Sequence, residues 1–424
     1  MGSPKESVRL HACNSAKTFT QPKQRSHMFV SDIKPFRRAV IPALAIGLAL
    51  GLSGCNKKGA DSADNEILIG HFGSLTGATA TFGQSAQKGI NMAVDAINAS
   101  GGVLGKQIKV IHEDDQGKPE EAQTVVTKLI NKDRVVALLG EIASSNSLAA
   151  APVAQASRIP MISPGSTNPK VTMAGDFIFR VCFIDPFQGM VMAKFATNTL
   201  KLKNVAVLRD VKSDYSVGLA DFFVQNFKEM GGAIPSDVSY SQGDKDFTAQ
   251  LTAIKATNPD GIFVPGYYTE VGLIARQARK LGIKVALLGG DGWDSSKLWE
   301  IGGEALNGCF YSNHYSVDDP SPILQKFVKD YKTRYGHTSD SIPDAMAALG
   351  YDAALILADA MKRANSIKPD SVRMALAQTK GFMGVTGNTT LDENRNAVKP
   401  AVVLEVVVDA NGKGRNQFKE TVSP

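Results

Sequence analysis

From Glu66 onward, short β-branched apolar runs alternate with helical patterns, and the series runs through once, stops and begins again. The first series reads EILIGHF (66–72) as a strand, FGQSAQKGINMAVDAINAS (82–100) as a helix and QIKVIHEDD (107–115) as a strand. PEEAQTVVTKLI (119–130) follows as a helix, VVALLGE (135–141) as a strand, SNSLAAAPVAQAS (145–157) as a helix and IPMISP (159–164) as a short strand, and DFIFRV (176–181) closes the series. The second series runs through a helix at 186–200, a strand at 204–210, a helix at 215–231 closed by Gly231-Gly232, a strand near 233–240 and a helix at 246–257. GIFVPG (261–266), a helix at 269–281 and KVALLGGDG (284–292) complete it. Strands that are apolar throughout and alternate with helices belong to parallel sheets covered on both faces. Two such series predict an α/β protein of two lobes with a cleft between them. Beyond Cys309 the pattern gives helices near 321–335, 343–364 and 369–378. A β-rich end at 399–418 follows, whose Asp409-Ala410-Asn411-Gly412 is a hairpin turn signal. Ligands of open α/β sheets sit beyond the carboxyl ends of the strands, so the loops there are where binding residues are sought.

Charge excludes one class of partner. The formal net charge is +6, but residues 1–54 hold eight of the 47 Lys and Arg and two of the 41 Asp and Glu, leaving 39 of each for the rest. The body therefore offers no basic surface to nucleic acid. Arg37-Arg38, the apolar run at 39–52 and then Ser53-Gly54 have the order of a secretory signal, expected over 28–54, and the run is short for a membrane span. Leu52-Ser53-Gly54-Cys55 resembles the bacterial lipobox, which implies lipid on Cys55 and a membrane-anchored protein on the periplasmic or extracellular face. Met28 is then the expected start, residues 1–27 an extension outside the fold, and 55–65 a polar tether. Cys182 and Cys309 both lie in apolar, strand-like sequence, where a disulfide and two free buried thiols are both open.

GSLTGATATFGQSAQKGINMAVDAINASGGVLGKQIKVIHEDD, GSTNPKVT, GGDGWD and GYDAALILADAMKRA, in this order and spacing, resemble the branched-chain amino-acid-binding proteins of bacterial ABC importers. The likeness runs from about Glu66 to the C-terminus. It implies a type I periplasmic binding fold: two Rossmann-like lobes with parallel sheets, joined by three crossovers and closing over a small solute. One lobe is expected from 66–185 with about 313–398, the other from 186–312 with about 399–424. The partners implied are an amino acid and the membrane permease subunits, with a monomer expected and no cofactor or metal.

A zwitterionic amino acid needs donors for its carboxylate, a carboxylate for its ammonium and an apolar wall for its side chain. Ser144 opens the helix after VVALLGE, where a hydroxyl and free backbone N–H groups suit an anion; a plain helix cap looks the same. Gly165-Ser166-Thr167 follows IPMISP, and glycine there lets backbone approach a ligand, a simple turn being the alternative. The resemblance assigns these two loops to the carboxylate, through Ser144, Gly165 and Thr167. Asp291, flanked by glycines after the strand VALL, suits an ammonium, although a turn aspartate is the plain reading; the resemblance implies the α-amino group. Asp185 stands where the chain first crosses between lobes, as a pocket-rim residue or a crossover cap. Phe82 occupies a position where the family carries Tyr or Trp over the ligand side chain. Tyr215 and Tyr267 follow second-lobe strands, Tyr351 reaches the cleft or simply packs, and Trp293 is a lid or a rim aromatic. The disulfide of the family's first lobe is absent, Gln116 and Ala143 standing near its places.

The sequence contains no G-x-S-x-G elbow, H-E-x-x-H or phosphate loop, and the turn at 70–77 lacks dinucleotide-binding spacing. His71, His112, His314 and His337 are scattered without ligand spacing, and structural roles are expected for them. The function expected is that of a non-enzymatic solute receptor binding a branched-chain or other hydrophobic amino acid. The alternatives are an amide, urea-like or aromatic ligand on the same fold, or a sensor rather than an importer component.

Overall fold

The computed structural model describes residues 65–336 and 342–424; the extension, the signal segment, Cys55, most of the tether and His337 lie outside these residues. The first series folds as β1 (Glu66–Gly73), α1 (Ala80–Ala99), β2 (Gln107–Asp114), α2 (Pro119–Asn131), β3 (Ala137–Leu139), α3 (Ser144–Ala156), β4 (Met161–Ser163), a short α4 (Lys170–Met173) and β5 (Ile178–Arg180). Its five strands are all parallel, in the order β2-β1-β3-β4-β5. Strands β3, β4 and β5 are buried at every position; β3 is wholly apolar, while β4 and β5 end in Ser163 and Arg180, whose side chains hydrogen-bond loop carbonyls.

The second series gives α5 (Asp185–Lys194), β6 (Val205–Asp210), α6 (Asp214–Glu229), β7 (Asp237–Tyr240), α7 (Thr248–Ala256) and β8 (Gly261–Phe263). It continues with α8 (Tyr268–Lys280), β9 (Ala286–Gly289), α9 (Ser296–Gly302) and β10 (Cys309–Asn313). Then come α10 (Pro322–Tyr335), α11 (Ala345–Ala364), α12 (Pro369–Ala377), three short strands β11 (Phe382–Gly384), β12 (Gly387–Leu391) and β13 (Ala397–Val398), and a hairpin of β14 (Ala401–Val408) and β15 (Gly414–Val422). The second sheet has seven strands ordered β15-β14-β10-β9-β8-β6-β7, parallel from β10 to β7 and antiparallel where the hairpin joins β10. The hairpin turn forms where the sequence signals it, with Asp409 accepting from the N–H groups of Asn411 and Lys413 at 2.9 Å.

Proline occupies the first turn of α2, α5, α10 and α12, where its missing N–H costs nothing. Helix α11 returns to pack on α1 at glycine contacts: a Cβ on Gly89 would lie 1.9 Å from the Ala347 carbonyl oxygen, and one on Gly350 2.6 Å from that of Ala86. Only glycine permits the two backbones to approach this closely, so the late helix α11 is locked beside the first sheet.

The chain passes between the two sheets three times: through 181–184 into α5, through 314–321 into α10, and through Lys399-Pro400 into β14. The passages are tied together. Phe183 of the first stacks on His314 of the second, ring centroids 3.9 Å apart. The buried Lys399 ammonium of the third donates to the Val181 carbonyl at 3.4 Å and to the Thr386 hydroxyl. Asp352 lies close by, accepting from the backbone of Val385 and Thr386 at 2.8 and 2.9 Å. Burial pulls the Lys399 ammonium below its usual range, and the Asp352 carboxylate opposes that shift. Cys182 and Cys309 are free and buried, which closes the disulfide alternative for this pair.

Candidate functional site

Loops at the carboxyl ends of both sheets face each other and are bonded together. The Thr81 N–H donates to the Tyr268 hydroxyl at 3.2 Å, and the Thr269 hydroxyl to the Ala78 carbonyl at 2.8 Å. Nearby, the Ser145 hydroxyl donates to Asp214 Oδ2 at 2.8 Å, and Asn168 Nδ2 to the Asp214 carbonyl at 2.8 Å. The cleft is thus shut, and the groups within it are out of water.

The first sheet's side is built by the loops after β3 and β4. Ser144 is the first residue of α3, and its Oγ accepts from the Asn168 N–H at 3.2 Å. Ser166 turns its side chain inward, hydrogen-bonded to Ser147 Oγ at 2.7 Å and to the carbonyls of Glu141 and Ile142 at 3.0 Å, so it clamps one loop to the other. A Cβ at Gly165 would sit 3.1 Å from both Ile142 Cγ2 and Met346 Sδ; that glycine makes room for packing. Buried Arg180 donates to the carbonyls of Ser166 and Asn168 at 2.5 and 2.8 Å and fixes the loop from behind. Thr167 Oγ1 is buried near the Asp185 carboxyl and makes no hydrogen bond of good geometry among the described residues.

The second sheet's side carries the charge. Asp291 follows β9 in a single tight turn, 2% exposed. Its Oδ2 accepts from His314 Nε2 at 2.9 Å, while its Oδ1 has no hydrogen-bond partner among the described residues. Gln188 binds this turn to α5: its Oε1 accepts from the Asp291 N–H at 2.8 Å and from Ser312 Oγ at 2.8 Å, and its Nε2 donates to Asp185 Oδ1 at 3.3 Å. Asp185, fully buried, donates its backbone N–H to the Thr167 carbonyl at 3.0 Å, which brings the two sides together; its Oδ2 makes no hydrogen bond of good geometry. Burial pushes its carboxyl up to about 8; the nearby Asp291 carboxylate adds to the rise, and the Thr167 hydroxyl, Arg180 and Gln188 oppose it. Near neutrality Asp185 therefore holds its proton, and the cleft presents one negative charge rather than two.

Aromatic rings close the remaining side. Tyr215 and Tyr267 stack at 5.3 Å and 6°, and Phe82 meets Tyr267 and Tyr268 edge-on at 5.6 and 5.0 Å. Edge-on contacts of this kind contribute roughly 0.5–1.5 kcal/mol beyond burial. The Tyr215 hydroxyl accepts from the Gly292 N–H at 3.1 Å, holding the Asp291 turn against the stack.

The structure thus brings Phe82, Ser144, Thr167, Asp185, Tyr215, Tyr267 and Asp291 to one place. Two aromatics stand apart. Trp293 is wholly buried beneath the turn, its Nε1 donating to the Val264 carbonyl at 3.0 Å, so it is neither lid nor rim. Tyr351 packs half-buried on Phe327 of α10, at 4.9 Å. Two residues were not assigned to the site from the sequence, His314 having been given only a structural role. Gln188 lies in an apolar helical stretch and carried no signal. His314 did: it follows β10 just as Asp291 follows β9, and the register Tyr311 to Gly289 puts the two strand ends side by side. A cavity of about 800 Å³ elsewhere, lined by Lys88, Asp294, Tyr315 and Asp344 among others, shares none of the site residues.

Known proteins resemble this arrangement. The chain matches the family described as periplasmic binding protein across residues 66–413. An amino acid binding protein of Pseudomonas aeruginosa is 35% identical over 300 residues, 69% of this chain and 78% of that protein. The leucine-, isoleucine-, valine-, threonine-, and alanine-binding protein of the same organism is 30% identical over 333 residues, 78% of this chain and 87% of its own. Among solved structures, a leucine binding protein of Thermotoga maritima superposes with a TM-score of 0.79 at 41% identity, over 84% of this chain and 99% of that one. A branched-chain amino acid transporter substrate binding protein of Streptococcus pneumoniae, solved with isoleucine, gives 0.76 at 34% identity, over 84% and 100%.

Proposed function

The chain belongs to the periplasmic binding protein family, and on that premise we propose that it closes over a branched-chain α-amino acid and delivers it to an ABC permease, without chemical conversion. One observation carries the ligand class. Asp291 Oδ1 is buried without a hydrogen-bond partner among the described residues, and Thr167 Oγ1 and the Asp185 carboxyl, which face each other without a bond of good geometry, lie buried in the same place beside an aromatic wall. Buried polar atoms of this kind are costly unless something satisfies them. An ammonium, with three N–H donors, suits the free oxygen of Asp291 beside the neutral Asp185 carboxyl. Thr167 Oγ1, with the backbone N–H groups opening α3, suits a carboxylate, and the rings of Phe82, Tyr215 and Tyr267 suit an aliphatic side chain.

The test is calorimetry with L-leucine, L-isoleucine, L-valine and the 2-oxo acid counterpart of leucine. We expect the amino acids to bind and the oxo acid, lacking the ammonium, to bind at least about a hundredfold more weakly. Binding of benzoate or an amide with no amino acid binding would overturn this reading.

The lipid anchor belongs to the same reading and rests on Leu52-Ser53-Gly54-Cys55, outside the described residues. No helix among the described residues is long and apolar enough to cross a membrane. Cys55→Ala expressed in a bacterial host should leave the membrane fraction for the soluble one; unchanged membrane partition would refute the anchor.

A further inference from the structure

The geometry points to His314 as the positioning residue of the amine site: it holds one oxygen of Asp291 so that the other faces the ligand, and through its stack on Phe183 it joins amine recognition to the crossovers on which the lobes turn. The inference rests on the amino-acid reading above and adds to it a residue that does not itself touch the ligand.

Asp291 is a short side chain whose carboxyl group turns easily about its last bond. A ligand ammonium is held well only if that rotation is stopped. Oδ2 is stopped by His314 Nε2 at 2.9 Å, and no other side chain hydrogen-bonds this carboxylate among the described residues. The backbone N–H of Asp291 is fixed separately by Gln188, so main chain and side chain have independent anchors. A carboxylate only accepts, so Nε2 carries the hydrogen. The ring is buried, burial lowers its pKa, and Asp291 opposes that shift. A neutral ring donating from Nε2 leaves Nδ1 bare, and Nδ1 indeed has no partner among the described residues. A neutral donor orients the carboxylate without cancelling its charge, which an arginine or lysine in this place would do.

The second half concerns the hinge. His314 is the first residue beyond β10, at the start of the second passage between the sheets, and its ring lies 3.9 Å from that of Phe183 on the first passage, inclined by 26°. The ring is thus held by the first passage on its face and by Asp291 at Nε2, which ties the amine carboxylate to the segments that join the lobes.

Calorimetry with L-leucine on the parent, His314→Phe, His314→Gln, Asp291→Asn and the double variant Asp291→Asn/His314→Phe tests this. His314→Phe keeps a stacking ring and loses the donor, and leucine affinity should fall about ten- to a hundredfold, the range for a hydrogen bond to a charged group. His314→Gln restores an N–H donor and should recover most of that loss, a rescue that a purely structural role would not give. On the Asp291→Asn background the His314→Phe change should cost less than about threefold, because the charge it positions is gone. The proposal is overturned if His314→Phe binds leucine like the parent, if His314→Gln loses as much as His314→Phe, or if the His314→Phe loss is undiminished beside Asp291→Asn. Failure of the parent to bind any amino acid overturns the amino-acid reading and this proposal with it. A parent that binds leucine and loses it in Asp291→Asn, yet tolerates His314→Phe, overturns the positioning role alone. If His314→Phe does not fold, nitrogen NMR of the parent decides. The His314 ring should show the Nε2–H tautomer and shift on saturation with leucine while His71 stays still; an unmoved His314 resonance overturns the role.

Discussion

On the first sheet's side of the cleft, the groups offered to a ligand are hydroxyls and the N-terminal end of α3; on the second sheet's side they converge on one carboxylate, Asp291. The first side is redundant. Its loops are clamped by Ser166, Ser163 and Arg180 regardless of any ligand, and loss of one hydroxyl leaves backbone donors in place. The second side has no substitute: Asp185, the other carboxyl there, keeps its proton near neutrality. Mutations on the two sides should therefore differ in size as well as in place.

The largest effect is expected from Asp291→Asn, which removes the charge and keeps the shape and the acceptor for His314. Breaking a buried charge pair costs on the order of 3–5 kcal/mol, so leucine affinity should fall by roughly two to three orders of magnitude in calorimetry. A loss under about tenfold would place the amine elsewhere and erase the contrast between the sides. Thr167→Ala comes next. Its Oγ1 is buried and meets only the Asp185 carboxyl, without a bond of good geometry among the described residues, so it is open to the ligand, and about tenfold should be lost. Ser144→Ala should cost about fivefold or less, since its Oγ already accepts from Asn168 and the helix N–H groups remain. A Ser144→Ala loss equal to that of Asp291→Asn would show that the first side is not redundant.

Much of this was legible because it depends on local sequence. The βα alternation, the helix that opens at Ser144 and the strand ends preceding Thr167 and Asp291 are all written within a dozen residues. What was not legible depends on which strands become neighbours. Nothing local says that β10 lies beside β9, yet that adjacency puts His314 against Asp291. Trp293 misled for a related reason: two residues from a site aspartate, it suggests a ligand contact, but the turn points it down onto Val264. The strands β11–β13 were also missed, being short and held together by the buried Asp352 carboxylate rather than by an apolar pattern.

The effect that weighs charge rather than ligand affinity is the dependence of stability on pH. Burial raises the carboxyls of Asp185 on the second side and Asp115 on the first, each up to about 8. In both, further carboxylates, Asp291 and Glu141 respectively, add to the rise. In the unfolded chain an aspartate titrates near 3.9, so between about pH 4 and 8 the folded state holds protons that the unfolded state has lost, and stability falls as pH rises. His71 works the other way: burial and then His112 lower it to about 3, so acid charges it only in the unfolded chain. That contribution ends near pH 6.5, above which both states carry a neutral ring. The window from 6.5 to 8 therefore isolates the carboxyls. There the ligand-free protein should lose roughly 1–2 kcal/mol through Asp185, a fall in Tm of a few degrees. Asp185→Asn should flatten part of this slope, and the slope that remains belongs to the other raised carboxyls, Asp115, Glu141, Asp294 and Asp344 among them. A Tm that is level from pH 6.5 to 8, or a slope untouched by Asp185→Asn, would mean that the second side already carries two charges, and the single-carboxylate account of the amine site would fall.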